Sequence, residues 1–219
     1  MDVKKAILKR TATRQYLDWA LSDRQIKRII QVAQKAPSWI NAQESRLYVA
    51  KGQVLDRMRK VHRSINDDPN LHTKSDVAYS PIRDWDLQSQ KNMKAKINFN
   101  FKKFGAHANQ MINQHKDNLF NAPAVVYLTL PAHYAQYSLV DVGLLAQTIM
   151  LSAYDQGISS LPAFEFVKYP DHVRKFLRIP SSRKLILGIG LGYRDPNDPI
   201  NQINPKRMPT DKMLKIIKK

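Results

Sequence analysis

The 219-residue chain contains no cysteine, which excludes disulfides, thiolate nucleophiles and cysteine-ligated zinc or iron–sulfur centres. No apolar run approaches the ~18 residues that a membrane-spanning helix needs. Nor does the N-terminal stretch hold a signal-like apolar segment, so a soluble, cytoplasmic protein with no membrane partner is expected. Acidic residues are scarce: 18 Asp and Glu against 36 Lys and Arg, a formal charge of +18. That excess calls for an anionic partner, whether nucleic acid, a membrane surface or a phosphorylated small molecule. The rest of the composition, 43% hydrophobic and 25% charged, is that of a globular chain. Its length suits one domain over 1–219.

The charge is unevenly spread. Between Lys116 and Lys168 there is no Lys or Arg, while Asp117, Asp141, Asp155 and Glu165 fall inside that window. The remainder therefore carries all 36 cations against 14 acids, a basic shell around a neutral-to-acidic segment.

Element signals follow from capping and periodicity. Ser22 with Gln25 reads as a capping box, opening a helix with Ile26, Ile29, Ile30 and Ala33 on one face and Pro37 beyond its end. Residues 46–51 (RLYVAK) read as a short strand, followed by a helix with Val54, Leu55, Met58 and Val61 on one face. The span Asn66–Pro81 is polar with two prolines and reads as a loop. Met93, Ile97, Phe101, Phe104, Ala108, Met111 and Ile112 recur at helical spacing, which predicts one basic amphipathic helix. Two continuous apolar runs, 124–130 and 185–191, read as buried strands. The stretch 138–154 is apolar nearly all round, which predicts a helix enclosed on every side, in part by a second subunit. Pro209–Ile217 reads as a terminal helix. Helices alternating with few strands give an α+β class, with helices around one mostly antiparallel sheet.

Several chemical motifs are absent. Gly188, Gly190 and Gly192 imitate a dinucleotide-binding loop, but Tyr193-Arg194-Asp195-Pro196 follows where a helix N-terminus must receive the pyrophosphate. The glycines read instead as close packing of a strand. The six histidines show no metal-binding pair at i, i+3 or i+4, so no metal site is expected. Arg57, Arg59, Lys60 and Arg63, then Lys91, Lys94, Lys96, Lys102 and Lys103, form two basic clusters. Phe99, Phe101 and Phe104 interleave with the second as in a stacking platform. Helical spacing places much of that aromatic set on the core side, so a solvated basic face is the reading and a nucleic-acid partner is not expected.

Three segments remain. Residues 9–16 (KRTATRQY) set cations beside hydroxyls, residues 36–43 (APSWINAQ) offer amides, and residues 205–209 (PKRMP) bring a second cationic pair. Two distant basic pairs can converge on one phosphate, because guanidinium forks match its oxygens. Amides suit the donor–acceptor edge of a flat heterocycle.

With these residues the chain resembles the FMN-dependent nitroreductase family. Arg10, Arg14 and Tyr16 match its N-terminal R-x-S-x-[RK]-x-[FY] region, and Ala36, Pro37, Ser38, Asn41 and Gln43 its A-P-S-x-x-N-x-Q segment. Asn121 and Pro123, then Asp141, Gly143 and Gln147, then Gly157 and Ile158 follow its middle order. Leu161–Phe166, then Gly190, Gly192 and Tyr193, and finally Arg207 follow its last third. Residues of about 65–115 form a variable helical excursion.

The resemblance implies a nitroreductase-like α+β fold and a homodimer with two FMN sites at its interface. Arg10 and Arg207 would hold the FMN phosphate with Lys206 in support, and Thr11 and Ala12 belong to the same cofactor-binding stretch. Arg14 would lie near N1 and O2 of the isoalloxazine, where a fixed cation favours the reduced flavin. Pro37, Ser38, Asn41 and Gln43 would reach the cofactor from the other subunit. Pro162, Ala163, Phe164 and Glu165 would line it, with a backbone N–H near N5. The implied activity is two-electron transfer from NAD(P)H through flavin N5 to a nitroaromatic, quinone or similar small-molecule acceptor, in a ping-pong cycle that needs no catalytic side chain. Ala12 stands where Ser is common, and Glu44 and Ser45 where Pro and an aromatic are frequent. His115, Lys116 and Asn118 are candidates for a contact from the middle region. The alternatives are a flavin reductase or other flavin-dependent reductase on the same fold, and, in another class, a basic nucleic-acid-binding protein without cofactor.

Overall fold

A computed structural model describes residues 2–72 and 74–218. Met1, Thr73 and Lys219, which fall within the span 1–219 and, for Thr73, the loop 66–81, lie outside the described residues. The helices are α1 (Val3–Lys9), α2 (Asp23–Ala33), α3 (Gly52–Asn66), α4 (Leu87–Phe104), α5 (Ala108–Asp117), α6 (Ser138–Asp155), α7 (Pro170–Leu177) and α8 (Thr210–Met213). The strands are β1 (Arg46–Lys51), β2 (Ala124–Pro131), β3 (Ser159–Ala163) and β4 (Arg183–Gly192). They form one antiparallel sheet in the order β1-β2-β4-β3.

The central strand β2 explains the architecture. Successive side chains of a strand point to opposite faces. Ala124, Val126, Leu128 and Leu130 accordingly meet α2 and α6, through Ile26, Ile29, Val142 and Ile149. Val125 and Tyr127 face the other way, against Leu55 and Met58 of α3 and Phe166. A strand covered on both faces must be apolar at every position, which is why 124–130 shows no alternation.

The capping box of α2 is formed: the Ser22 hydroxyl accepts from the Gln25 N–H, and the Gln25 side chain accepts from the Ser22 N–H at 2.9 Å. β1 and the loop after α3 also stand where the sequence places them.

Three expectations need correction. The long amphipathic helix is broken: Gly105, at φ +64°, ends α4, and a short 3-10 turn leads into α5. A glycine adopts that φ without the Cβ clash that other residues meet. Phe99 and Phe101 are partly exposed, at 37% and 41%, rather than on a core side. Positions two apart cannot share a helix face, and among the described residues α4 buries only Asn100. Third, the terminal helix shrinks to Thr210–Met213. Its apolar residues Met213, Leu214, Ile216 and Ile217 are all exposed, and so short a helix does not persist without a packed face.

The glycine-rich end of β4 is a packing device. A Cβ at Gly188 would overlap the Cβ of Phe166, and one at Gly192 would lie 2.6 Å from Pro123. The strand runs beneath these rings because it has no side chains there.

Candidate active site

The N-terminal cationic segment is laid against the sheet by its backbone. Ala12 pairs with Ser160 of β3, and the Thr13 N–H donates to the Ser160 carbonyl at 3.1 Å. Further on, Tyr16 bridges to Arg194, and its buried hydroxyl donates to the Gly190 carbonyl at 3.1 Å.

Asn201 locks this arrangement. Its buried amide accepts from the N–H groups of Arg14 (2.7 Å) and Gln15 (3.2 Å) and donates to the carbonyls of Gln15 (2.7 Å) and Asp195 (2.8 Å). The stretch after β4 is thereby tied to residues 14–15. Arg14, half-buried, donates to the carbonyls of Ile203 (3.1 Å) and Ala12 (3.3 Å). Asn201 was not foreseen because it belongs to no motif; its role appears only when residues 187 positions apart meet.

The consequence is a concentration of cations. Arg10, half-buried, has its pKa lowered by burial and then by the nearby charge of Arg207. The Arg14 pKa is lowered by burial and by Arg194, against a raising effect of Tyr16. Lys96 of α4 is lowered by burial and by the charges of Arg14 and Lys116. Among the described residues, Arg10, Lys96, Lys206 and Arg207 have no carboxylate partner. Lys96, Lys206 and Arg207 line one cavity of about 770 Å³, with Met93, Ile97 and Met208 as apolar wall. Of the middle-region candidates, His115 lies 3.2 Å from the Gln15 side chain and Lys116 lies within the field of Lys96. Asn118 is engaged elsewhere, by Arg59 and Arg63.

The third expected group sits at the end of β3. Pro162 and Ala163 are half-buried, and Phe164 is partly exposed with the Tyr79 ring 5.4 Å away. Glu165 turns its carboxylate inward, 3.1 Å from His62 Nε2 and 3.3 Å from Lys168 Nζ. Burial opposes its ionisation, but the His62 hydrogen bond and the Lys168 charge outweigh it and hold the carboxyl at about 2. His62, Asn66 and Tyr79 lie on or just after α3, where periodicity marks a core face and a polar loop but not a site.

The middle segment stands apart. Pro37, Ser38 and Gln43 line a separate cavity of about 230 Å³ beside Asp141 of α6. The Trp39 N–H donates to both Asp141 oxygens (3.1 and 3.2 Å), the Gln43 N–H to the Ser38 hydroxyl (3.1 Å), and the Gln43 amide to Asn41 Oδ1 (2.8 Å). Ile40, Asn41 and Gln43 adopt positive φ values of 46°, 58° and 47°. Among the described residues, none of Pro37, Ser38, Asn41 and Gln43 shares a hydrogen bond or a cavity with the Arg10–Arg207 group. One chain thus lays Ala12 and Thr13 against β3, sets Arg10 in the field of Arg207, and places Lys206 and Arg207 in a cavity with α4, while Pro37, Ser38 and Gln43 line a separate one.

Among the described residues no helix is long and apolar enough to cross a membrane. A sequence model of the Nitroreductase family matches residues 7–193. The chain is 27% identical over 222 residues to a 4-nitrobenzoate reductase of Pseudomonas putida, covering 96% of this chain and 92% of that protein. In structure it is similar to the FMN-dependent nitroreductase NfnB of Mycobacterium smegmatis, solved with NADPH: TM-score 0.90, 23% identity, 98% of this chain and 97% of that one. The FMN and NADPH-dependent nitroreductase NfnB of sphigopyxis sp. strain HMH superposes at TM-score 0.91, with 19% identity and 99% of both chains covered.

Proposed function

The chain belongs to the Nitroreductase family, and from that premise we propose that it is an FMN-containing, NAD(P)H-dependent oxidoreductase reducing nitroaromatic, quinone or similar acceptors in the cytoplasm. The observation that carries this is the approach of Arg10 to Arg207, with no carboxylate between them among the described residues. Arg10 is half-buried and Arg207 exposed; two like charges set near one another repel unless an anion lies between them, and a phosphate matches their forks. The donor set fits FMN on this ground.

Arg10 and Arg207, with Lys206, hold the phosphate, and the backbone of Thr11 and Ala12 runs beside it along β3. Arg14, fixed by Ile203 and Ala12, keeps a permanent positive charge at the pyrimidine edge. Pro162, Ala163 and Phe164 border the ring system, and Glu165 offers its backbone N–H. Bound there, FMN supplies two-electron redox chemistry at N5 that no side chain of this protein can provide. The ping-pong order expected of the family would need only that NAD(P)H and the acceptor reach the bound cofactor one after the other. The β4 glycines accommodate Phe166, Pro123 and Tyr16 rather than a phosphate.

The whole chain, 1–219, acts as one unit with a helical excursion over 65–115, and as a homodimer. Val140 and Leu144 of α6 are exposed, and a Cβ at Gly143 between them would meet nothing within 4 Å. A second copy packed there meets a segment 36–43 that Asp141 already ties to α6. Pro37, Ser38, Asn41 and Gln43 would then serve the neighbouring subunit's flavin. Among acceptors, a nitrobenzoate is the first to test, since its carboxylate suits the Lys96–Lys116 surroundings and the P. putida relative bears that activity in its name.

Purified protein supplied with FMN should retain one per chain, turn yellow and reduce 4-nitrobenzoate with NADPH or NADH. Arg207→Ala should weaken FMN binding about 10- to 100-fold, the worth of a charge-assisted fork; unchanged affinity would displace Arg207 from the site. Colourless protein that binds DNA with a steep salt dependence would instead establish the nucleic-acid class.

A further inference from the structure

We propose that Glu165, His62 and Lys168 form a positioning cluster that holds the 162–165 stretch against the flavin and sets the flavin's reduction potential; this rests on the FMN reading above. Glu165 belongs to the 3-10 turn Phe164–Val167 that directly follows β3. Its backbone N–H would serve the cofactor, while its carboxylate, 10% exposed, reaches His62 Nε2 at 3.1 Å. Lys168, one turn later, closes on the same oxygen at 3.3 Å.

Behind them Asn66 joins every member. Its amide N–H₂ contacts Glu165 (3.4 Å), His62 (3.2 Å) and Asp117 (2.8 Å), while its carbonyl accepts from Lys168 Nζ (2.7 Å) and the Tyr169 hydroxyl (2.8 Å). The ring of Tyr169 lies 5.4 Å from that of His62. Residues from α3, from the end of α5 and from the turn after β3 are thus fixed to one another.

A buried ion pair adds little net stability, because desolvation cancels much of the attraction. What it does supply is a fixed geometry and a defined local charge. Glu165 is ionised throughout the neutral range, since its carboxyl is held at about 2. The Glu165 carboxylate and the Lys168 ammonium oppose each other at 3.3 Å, with the Asp117 carboxylate farther back behind Asn66. Removing either partner alone leaves an uncompensated charge of known sign, and those two signs act on the potential in opposite directions.

The test uses FMN-loaded protein and reads the flavin midpoint potential by equilibrium dye titration, with FMN affinity and thermal midpoint alongside. Glu165→Gln should raise the potential, because Lys168 is left uncompensated beside a cofactor that gains negative charge on reduction. Lys168→Met should lower it, and the double variant should return close to the wild-type value. His62→Ala should weaken FMN binding roughly tenfold, the worth of one hydrogen bond to a charged group, and His62→Gln should recover part of that loss. Single variants with wild-type potentials, or with shifts of the same sign, would overturn the inference while leaving wild-type FMN binding and nitroreduction intact. Wild-type protein that takes up no FMN overturns the functional reading and this inference with it.

Discussion

Residues 87–117 carry six lysines, yet among them only Asn100 and Ala108 are buried. Residues 118–167 carry no cation and supply the central strand, the helix packed across it and the edge strand beside the proposed cofactor. Both stretches have helical periodicity and aromatic residues. They differ in what lies next to them. In 118–167 nearly every apolar side chain has a partner within the chain, whereas Met93 and Ile97 of α4 face a cavity and Phe99 and Phe101 face outward. An apolar stripe therefore marks core only where the fold supplies a second layer. On α4 it marks the wall of a cavity.

The comparison breaks most severely if the packed region proves soft. Gly188→Ala would drive a Cβ into the Cβ of Phe166, which neither backbone can avoid. A loss of about 3 kcal/mol or more, or failure to fold, is expected in urea titrations, at the upper end of overpacking costs. An unchanged midpoint would mean that the β4–Phe166 contact has slack. Next in size is Leu144→Lys, on the one flank of α6 that the chain leaves open. It should convert the proposed dimer to a monomer in light scattering, with the helix itself retained; a monomeric wild type would remove the dimer reading.

Much of this division was legible beforehand, for physical reasons. The cation-free window marks the core because burying a charge without a partner is costly. The run 124–130 gave away a strand covered on both faces, and the residues after Gly192 showed that no phosphate-binding helix starts there. The Arg10 and Arg207 pairing was legible as chemistry, two cationic pairs suited to one phosphate, though not as geometry. Asn201 and the His62–Asn66–Glu165 cluster were not legible at all. Each joins residues about a hundred or more positions apart through single side-chain atoms, and no local period records that. The break at Gly105 was missed because the apolar spacing on its two sides stays in phase across the turn, while the glycine's positive φ leaves no trace in periodicity.

A smaller effect separates the two regions by pH. The folded protein holds the Glu165 carboxyl at about 2, below its ordinary 4.5. A carboxylate depressed in this way contributes stability that is fully present above pH 4.5 and is lost as pH falls toward 2. In Glu165→Gln that acid-sensitive component should be missing, so the stability difference between wild type and variant should narrow progressively from pH 4.5 to pH 2. Urea midpoints measured across that window read it directly. A constant difference would mean that the carboxyl is not depressed, and hence not held by His62 and Lys168.

The smallest effect belongs to α4. Phe101 is 41% exposed, so Phe101→Ala removes little that the fold has hidden from water, and a change within about 0.5 kcal/mol is expected, as for ordinary surface positions. The measurement should be made at two protein concentrations well apart. If truncation costs several times more, and the cost grows with concentration, the ring is covered by a second subunit and α4 belongs to the same interface as Leu144. If the cost stays small at both, the exposed side of α4 is free, and its lysines and aromatics are available to whatever anionic molecule approaches the Lys96–Arg207 cavity.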